Sequence, residues 1–85
     1  SAPTEITKLE VVAEAGATRL LLTGSRPFTP QITTAGRPAA LVITIPGRWK
    51  AGRSRQTDVR ENGITVVRYG QFSDAPAQAR VVVNL

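Results

Sequence analysis

The last quarter of the chain, residues 63–85, constrains the fold more than any other stretch. It reads GITVVRYGQFSDAPAQARVVVNL. Ala79, Val81, Val83 and Leu85 fall on one side of an extended chain, and Arg80, Val82 and Asn84 on the other. That is the period-two pattern of a half-buried strand. Residues 64–69 are apolar on both sides: Ile64 and Val66 share a face with Arg68, and Val67 shares the other with Tyr69. A strand covered on both faces belongs inside a sheet. Turn formers over residues 70–78 predict the connection between the two strands. The pair is predicted to sit in the middle of the fold, with Arg68 and Arg80 emerging near strand ends.

The rest of the chain supplies further short strands with turns between them. Residues 1–4, small and polar with Pro3, read as a disordered lead, and residues 5–85 as one domain. In residues 5–14, Leu9, Val11 and Ala13 share a face, with Ile6 and Val12 opposite. Gly16 breaks that run, and residues 17–23 return with Thr18, Leu20 and Leu22 on one side, so the pair reads as a hairpin rather than a helix. Residues 24–27 form a turn. Residues 28–34 form a short strand with Phe28 and Ile32 on one face, placed at a sheet edge by Pro30. After a turn at residues 35–38, residues 39–45 alternate, with Ala39, Leu41, Ile43 and Ile45 inward and Ala40, Val42 and Thr44 outward. Residues 46–56 read as a loop and 57–61 as a weak strand. Asn62-Gly63 tolerates the positive φ angles of a type I′ hairpin turn.

Such spacing predicts an all-β fold, a small sandwich of two short sheets. A faint internal repeat suggests two similar hairpin-containing halves: residues 18–23 (TRLLLT) echo residues 79–84 (ARVVVN), and each follows a Val-Val strand.

The final segment also resembles the C-terminal half of an AMIN domain, a module of bacterial envelope proteins. The resemblance rests on Arg68, Gly70, Gln71 and Phe72, a variable loop, and Arg80-Val81-Val82. Residues 41–47 (LVITIPG) are similar to an earlier segment of the same family. Members often carry an acidic residue where Thr44 and Asn84 stand here, and an arginine where Ala40 stands. The resemblance implies a β-sandwich and a non-catalytic module of cell-wall amidases and type IV pilus secretins. Such a module holds a larger periplasmic protein, with its other domains, against peptidoglycan. It implies ligand contacts from Arg68, Gly70, Gln71, Phe72 and Arg80.

Composition narrows the chemistry. At 85 residues the chain builds a single small core. It has no cysteine and no histidine, which excludes disulfides, thiol nucleophiles, thiolate or imidazole metal sites, and a triad with a histidine base. Asp58, Glu61 and Asp74 have no spacing that suggests glycosidase chemistry, and there is no glycine-rich phosphate cradle. An enzyme is not expected, nor any cofactor or metal. No apolar run approaches the roughly 18 residues of a membrane span. The chain begins at Ser1 and lacks methionine, which reads as a domain excised from a longer protein, its export signal lost.

The formal net charge is +5, mostly from arginine. It fits an anionic partner such as a cell-wall polymer, nucleic acid or lipid headgroups, and it fits equally a GC-rich coding sequence. A guanidinium grips a carboxylate bidentately, so Arg68 and Arg80 are candidate ligand contacts; the alternative is that they are solvated or form a surface ion pair with Glu61 or Asp74. Arg48 and Trp49, in a loop with Lys50, Arg53 and Arg55, form a second candidate site. There Trp49 either stacks on a ligand or caps the core with its indole N–H bonded to a carbonyl. A nucleic-acid-binding barrel would need aromatics along one sheet face, and Phe28, Trp49, Tyr69 and Phe72 are scattered. A structural role in an envelope machine, by strand addition at residues 28–34, is the other alternative.

Overall fold

Alternation along the chain translates into eight strands and, among the described residues, no helix. The computed structural model describes residues 3–37 and 39–85. Ser1 and Ala2, in the predicted lead, and Pro38, in the predicted 35–38 turn, lie outside the described residues. The strands are β1 (Thr4–Glu14), β2 (Ala17–Gly24), β3 (Gln31–Gly36), β4 (Ala39–Ile45), β5 (Gly47–Trp49), β6 (Gln56–Glu61), β7 (Ile64–Asp74) and β8 (Ala77–Asn84). They form a three-stranded sheet, β2-β1-β5, and a five-stranded sheet, β3-β4-β8-β7-β6. The two sheets make a sandwich-like arrangement, as the strand spacing predicts, though of unequal halves.

The two echoing hairpins fall in different sheets. Val11, Leu20 and Leu22 of β1 and β2 pack against Val67, Val81 and Val83 of β7 and β8, and Leu41, Ile43 and Tyr69 join the same core. Full burial of each aliphatic side chain contributes roughly 1.5–3 kcal/mol. Strand β7 lies between β8 and β6, the interior place its two apolar faces require.

Two amide side chains clasp the sheets at opposite ends of β7. Ahead of its first residue, Asn62 and Gly63 take φ of 54° and 79°, and Glu61 pairs directly with Ile64, giving the two-residue hairpin expected from Asn-Gly. Nδ2 of Asn62 then donates to the Glu14 carbonyl at 3.2 Å and to Thr18 Oγ1 at 2.9 Å, across to the β1–β2 hairpin. Near the far end of β7, Gln71 binds the backbone of β5.

Several local expectations change. The predicted 46–56 loop contains β5, which leaves β4 at Pro46 and pairs in parallel with the start of β1. The predicted connection over residues 70–78 is mostly strand: β7 runs to Asp74, because a bulge between Gln71 and Ser73 absorbs Phe72 and lets the ladder continue to Ala77. Only Ala75 and Pro76, joined by a cis bond, remain as turn. A second bulge, between Ile6 and Lys8, inserts Thr7. It rotates Ile6 onto the side of Leu9 and Val11, so Ile6 is fully buried rather than opposite them.

Strand β3 starts only after Pro30, which lacks the amide a ladder needs. Phe28 therefore lies outside the strand. Its ring packs where a Cβ on Gly24 would stand. Ala40, expected outward, is covered between its neighbours Ala35 and Asn84 on the flanking strands, whereas Ala39 is exposed. Leu85, expected inward, follows the end of β8 and is exposed, its amide bonded to the Ala39 carbonyl. Arg68 and Arg80 stand in mid-strand, not near strand ends.

Candidate functional site

The five-stranded sheet turns one face to its partner and the other outward. Register decides which side chains meet on the outer face. Arg80 of β8 is flanked by Thr44 on β4 and Gly70 on β7, while Arg68 of β7 is flanked by Val82 on β8 and Gln56 on β6. The two arginines are thus diagonal neighbours on one face, about 7–8 Å apart at that spacing.

Among the described residues neither arginine is paired with an acid. Arg68 donates from Nε to Asn84 Oδ1 at 3.0 Å, and Arg80 from Nε to Thr44 Oγ1 at 3.3 Å. Arg80 also lies under the Phe72 ring, with Cζ 3.5 Å from the ring centroid. Both guanidiniums are oriented by neutral groups that leave their charge uncompensated. The anticipated acid Asp74 faces Arg48 instead, at 3.5 Å in an exposed contact, worth about 0–1 kcal/mol. Arg48 is thereby set apart from Arg68 and Arg80.

Gln71 has a different place. Its Oε1 accepts from the Trp49 amide at 2.7 Å, and its Nε2 lies 2.7 Å from the Ser73 carbonyl, 3.0 Å from that of Gln78 and 3.2 Å from that of Gly47. One side chain therefore serves three strands and both sheets. Gln71→Ala is expected to cost about 1–3 kcal/mol, because it strips partners from several backbone groups. Gln71→Glu is expected to be at least as harmful, since a carboxylate has no N–H for the three carbonyls. Chemical denaturation of both variants reads the difference.

Trp49 reaches the core edge from β5. Its ring stacks on Tyr69 at 5.3 Å between centroids and 30° between planes. It packs against the core as one reading of the sequence has it, but among the described residues its buried Nε1 has no hydrogen-bond partner, where that reading has a carbonyl. Tyr69 is fixed in turn by its hydroxyl, 3.0 Å from Thr57 Oγ1.

A family model for the AMIN domain matches residues 8–85. The chain belongs to the AMIN domain family. No curated protein and no solved structure matches the chain. AMIN domains are non-catalytic modules associated with the bacterial cell envelope and found in amidases and secretins. Among the described residues no helix is long and apolar enough to cross a membrane. Two departures from the AMIN pattern, Thr44 and Asn84, prove to be the neutral partners of Arg80 and Arg68.

The sequence reading placed Arg55 in the second, loop site and did not join it to the AMIN arginines. The Arg55 carbonyl accepts from the Tyr69 amide at 2.9 Å, and Arg55 Nη1 lies 3.5 Å from where a Cβ on Gly70 would be. Counting back from the Asn62-Gly63 turn is the signal that could have found it. The hairpin register brings residues just before β6 alongside residues 69 and 70.

Proposed function

We propose that this AMIN domain is a peptidoglycan-binding module that localises a larger periplasmic protein, contacting the cell wall with the outer face of its five-stranded sheet. The observation that carries this reading is the pair Arg68 and Arg80, held in mid-sheet by Asn84 and Thr44 and free of ion pairs among the described residues. Peptidoglycan stems carry carboxylates, and a guanidinium binds a carboxylate through two parallel bonds. Gly70 and Phe72 flank the arginines, while Gln71 holds the strand carrying them in place.

Sedimentation with purified sacculi tests the reading. Arg68→Ala with Arg80→Ala is expected to abolish co-sedimentation while leaving the fold intact, since surface substitutions usually change stability by less than about 0.5 kcal/mol. The double lysine variant keeps the charge and loses the bidentate fork, so it is expected to bind weakly. Wild-type binding should persist in part at physiological ionic strength, where screening reaches about 8 Å. Undiminished sedimentation of the double alanine variant would refute the reading.

A second reading rests on β3. Every residue of this edge strand is exposed, Ile32 at 62 %, and none is charged. Such an edge offers a row of backbone groups to a strand from a neighbouring envelope protein. Under that reading Ile32→Lys is expected to break assembly and leave sacculus binding unchanged.

A further inference from the structure

Gly70 stands between two hollows. The outer one, about 400 Å³, is bounded by Arg55, Arg68, Phe72, Arg80 and Val82. The other, about 380 Å³, is bounded by Trp49, Gly52, Arg53 and Ser54. Arg55, Tyr69, Gly70 and Gln71 border both.

The outer hollow gathers three guanidiniums. With the Nε groups of Arg68 and Arg80 given to Asn84 and Thr44, their Nη edges remain for a ligand. Arg55, over Gly70, adds a third cation. No ion pair neutralises any of the three among the described residues. Asp58, opposite Val66, and Glu61, opposite Ile64, form no ion pair with any of them among the described residues. Cations placed together beside the apolar Phe72 and Val82 repel one another until an anion joins them.

The second hollow has other chemistry. An aromatic pair, Trp49 on Tyr69, lines it together with Arg53 and Ser54, and the buried Nε1 of Trp49 lacks an acceptor among the described residues. An aromatic surface next to hydrogen-bonding groups suits a sugar ring, which has an apolar C–H face and a hydroxyl rim.

We infer that the two hollows together hold one acidic glycopeptide unit. Its carboxylate lies among Arg55, Arg68 and Arg80, its sugar lies beside Trp49, and the linking peptide passes along the border the two hollows share, beside Arg55 and Gly70. The inference rests on the peptidoglycan reading and names the part of the polymer that is bound.

Trp49, the only tryptophan, reports on the second hollow by its fluorescence. The probes are a soluble muramyl dipeptide with one free carboxylate, the same compound amidated there, and the acidic dipeptide without its sugar. The free-carboxylate compound is expected to shift Trp49 emission saturably. Amidation, Arg55→Ala, or the double Arg68→Ala and Arg80→Ala change should each weaken binding about tenfold or more. Arg55 precedes β6, so its variant keeps the test open if the double variant misfolds. The sugar-free peptide should compete without moving the emission.

Equal binding of the free and amidated compounds would overturn the inference. So would an equal emission shift from the sugar-free peptide, or displacement by inorganic phosphate as readily as by that peptide. If sacculi sediment with the domain and the muramyl dipeptide does not bind, the groove assignment falls and the peptidoglycan reading stands. If the dipeptide binds as expected and sacculi do not sediment, the peptidoglycan reading falls, and the groove is a site for a free acidic glycopeptide rather than for the polymer.

Discussion

Gly47→Ala is expected to cost about 3 kcal/mol or more, at or above the top of the usual range for overpacking. Gly47 is buried, and it pairs with Thr4 where β5 runs parallel to β1. A Cβ there would collide with the Thr4 carbonyl oxygen, a backbone atom that cannot swing aside. Relief requires β5 to leave β1, which breaks its three pairings and the bond from the Lys50 amide to the Ile6 carbonyl. It also pulls the Gly47 carbonyl away from Gln71. A domain of this length has roughly 4–13 kcal/mol to lose, at 0.05–0.15 kcal/mol per residue. Gly36→Ala is the control: a Cβ there meets nothing within 4 Å, so its effect should stay within about 0.5 kcal/mol. Urea unfolding midpoints of the two variants measure the contrast.

The second large effect is expected at Ile6. Ile6→Ala should cost about 2–5 kcal/mol, the removed transfer energy plus the cavity left behind. Its side chain is fully buried, and its backbone is held on both sides, opposite Gly24 in β2 and Trp49 in β5. Val12, which strict alternation puts on the same face, is 36 % exposed, and Val12→Ala should cost far less. Similar losses at the two positions would show that Thr7 does not form a bulge.

These two residues mark where the sequence stops being legible. Period-two alternation identifies a strand and its buried side as long as the ladder is unbroken. It serves for Leu20 and Leu22 and for Val81 and Val83. A bulge changes the parity, and neither Thr7 nor Phe72 has a side chain that announces one, so Ile6 was placed on the wrong face and β7 ended too early. Strand β5 is hidden for another reason. Three residues after a proline are too few to show a period, and their pairing with β1 is long-range.

The candidate site divides the same way. The resemblance pointed to Arg68 and Arg80, and hairpin register makes them diagonal neighbours. The inward-turned role of Gln71 was not legible, because its partners are backbone groups of β5 and β8 that only the folded sandwich assembles. Arg55 was visible as one of several basic loop residues, and only the hairpin register counted back from Asn62-Gly63 singles it out as the one beside residues 69 and 70.

The positions of β1 and β8 within their sheets have a mechanical consequence. Strand β1 lies between β2 and β5, and β8 between β4 and β7. A pull applied through the chain at Thr4 and Asn84 therefore enters each sheet by an inner strand, not by an edge. Along the strand axis it must slide that strand past two neighbours at once, so many backbone hydrogen bonds carry the load together instead of opening one after another. A domain built this way resists tension by shearing a sheet rather than by unzipping an edge.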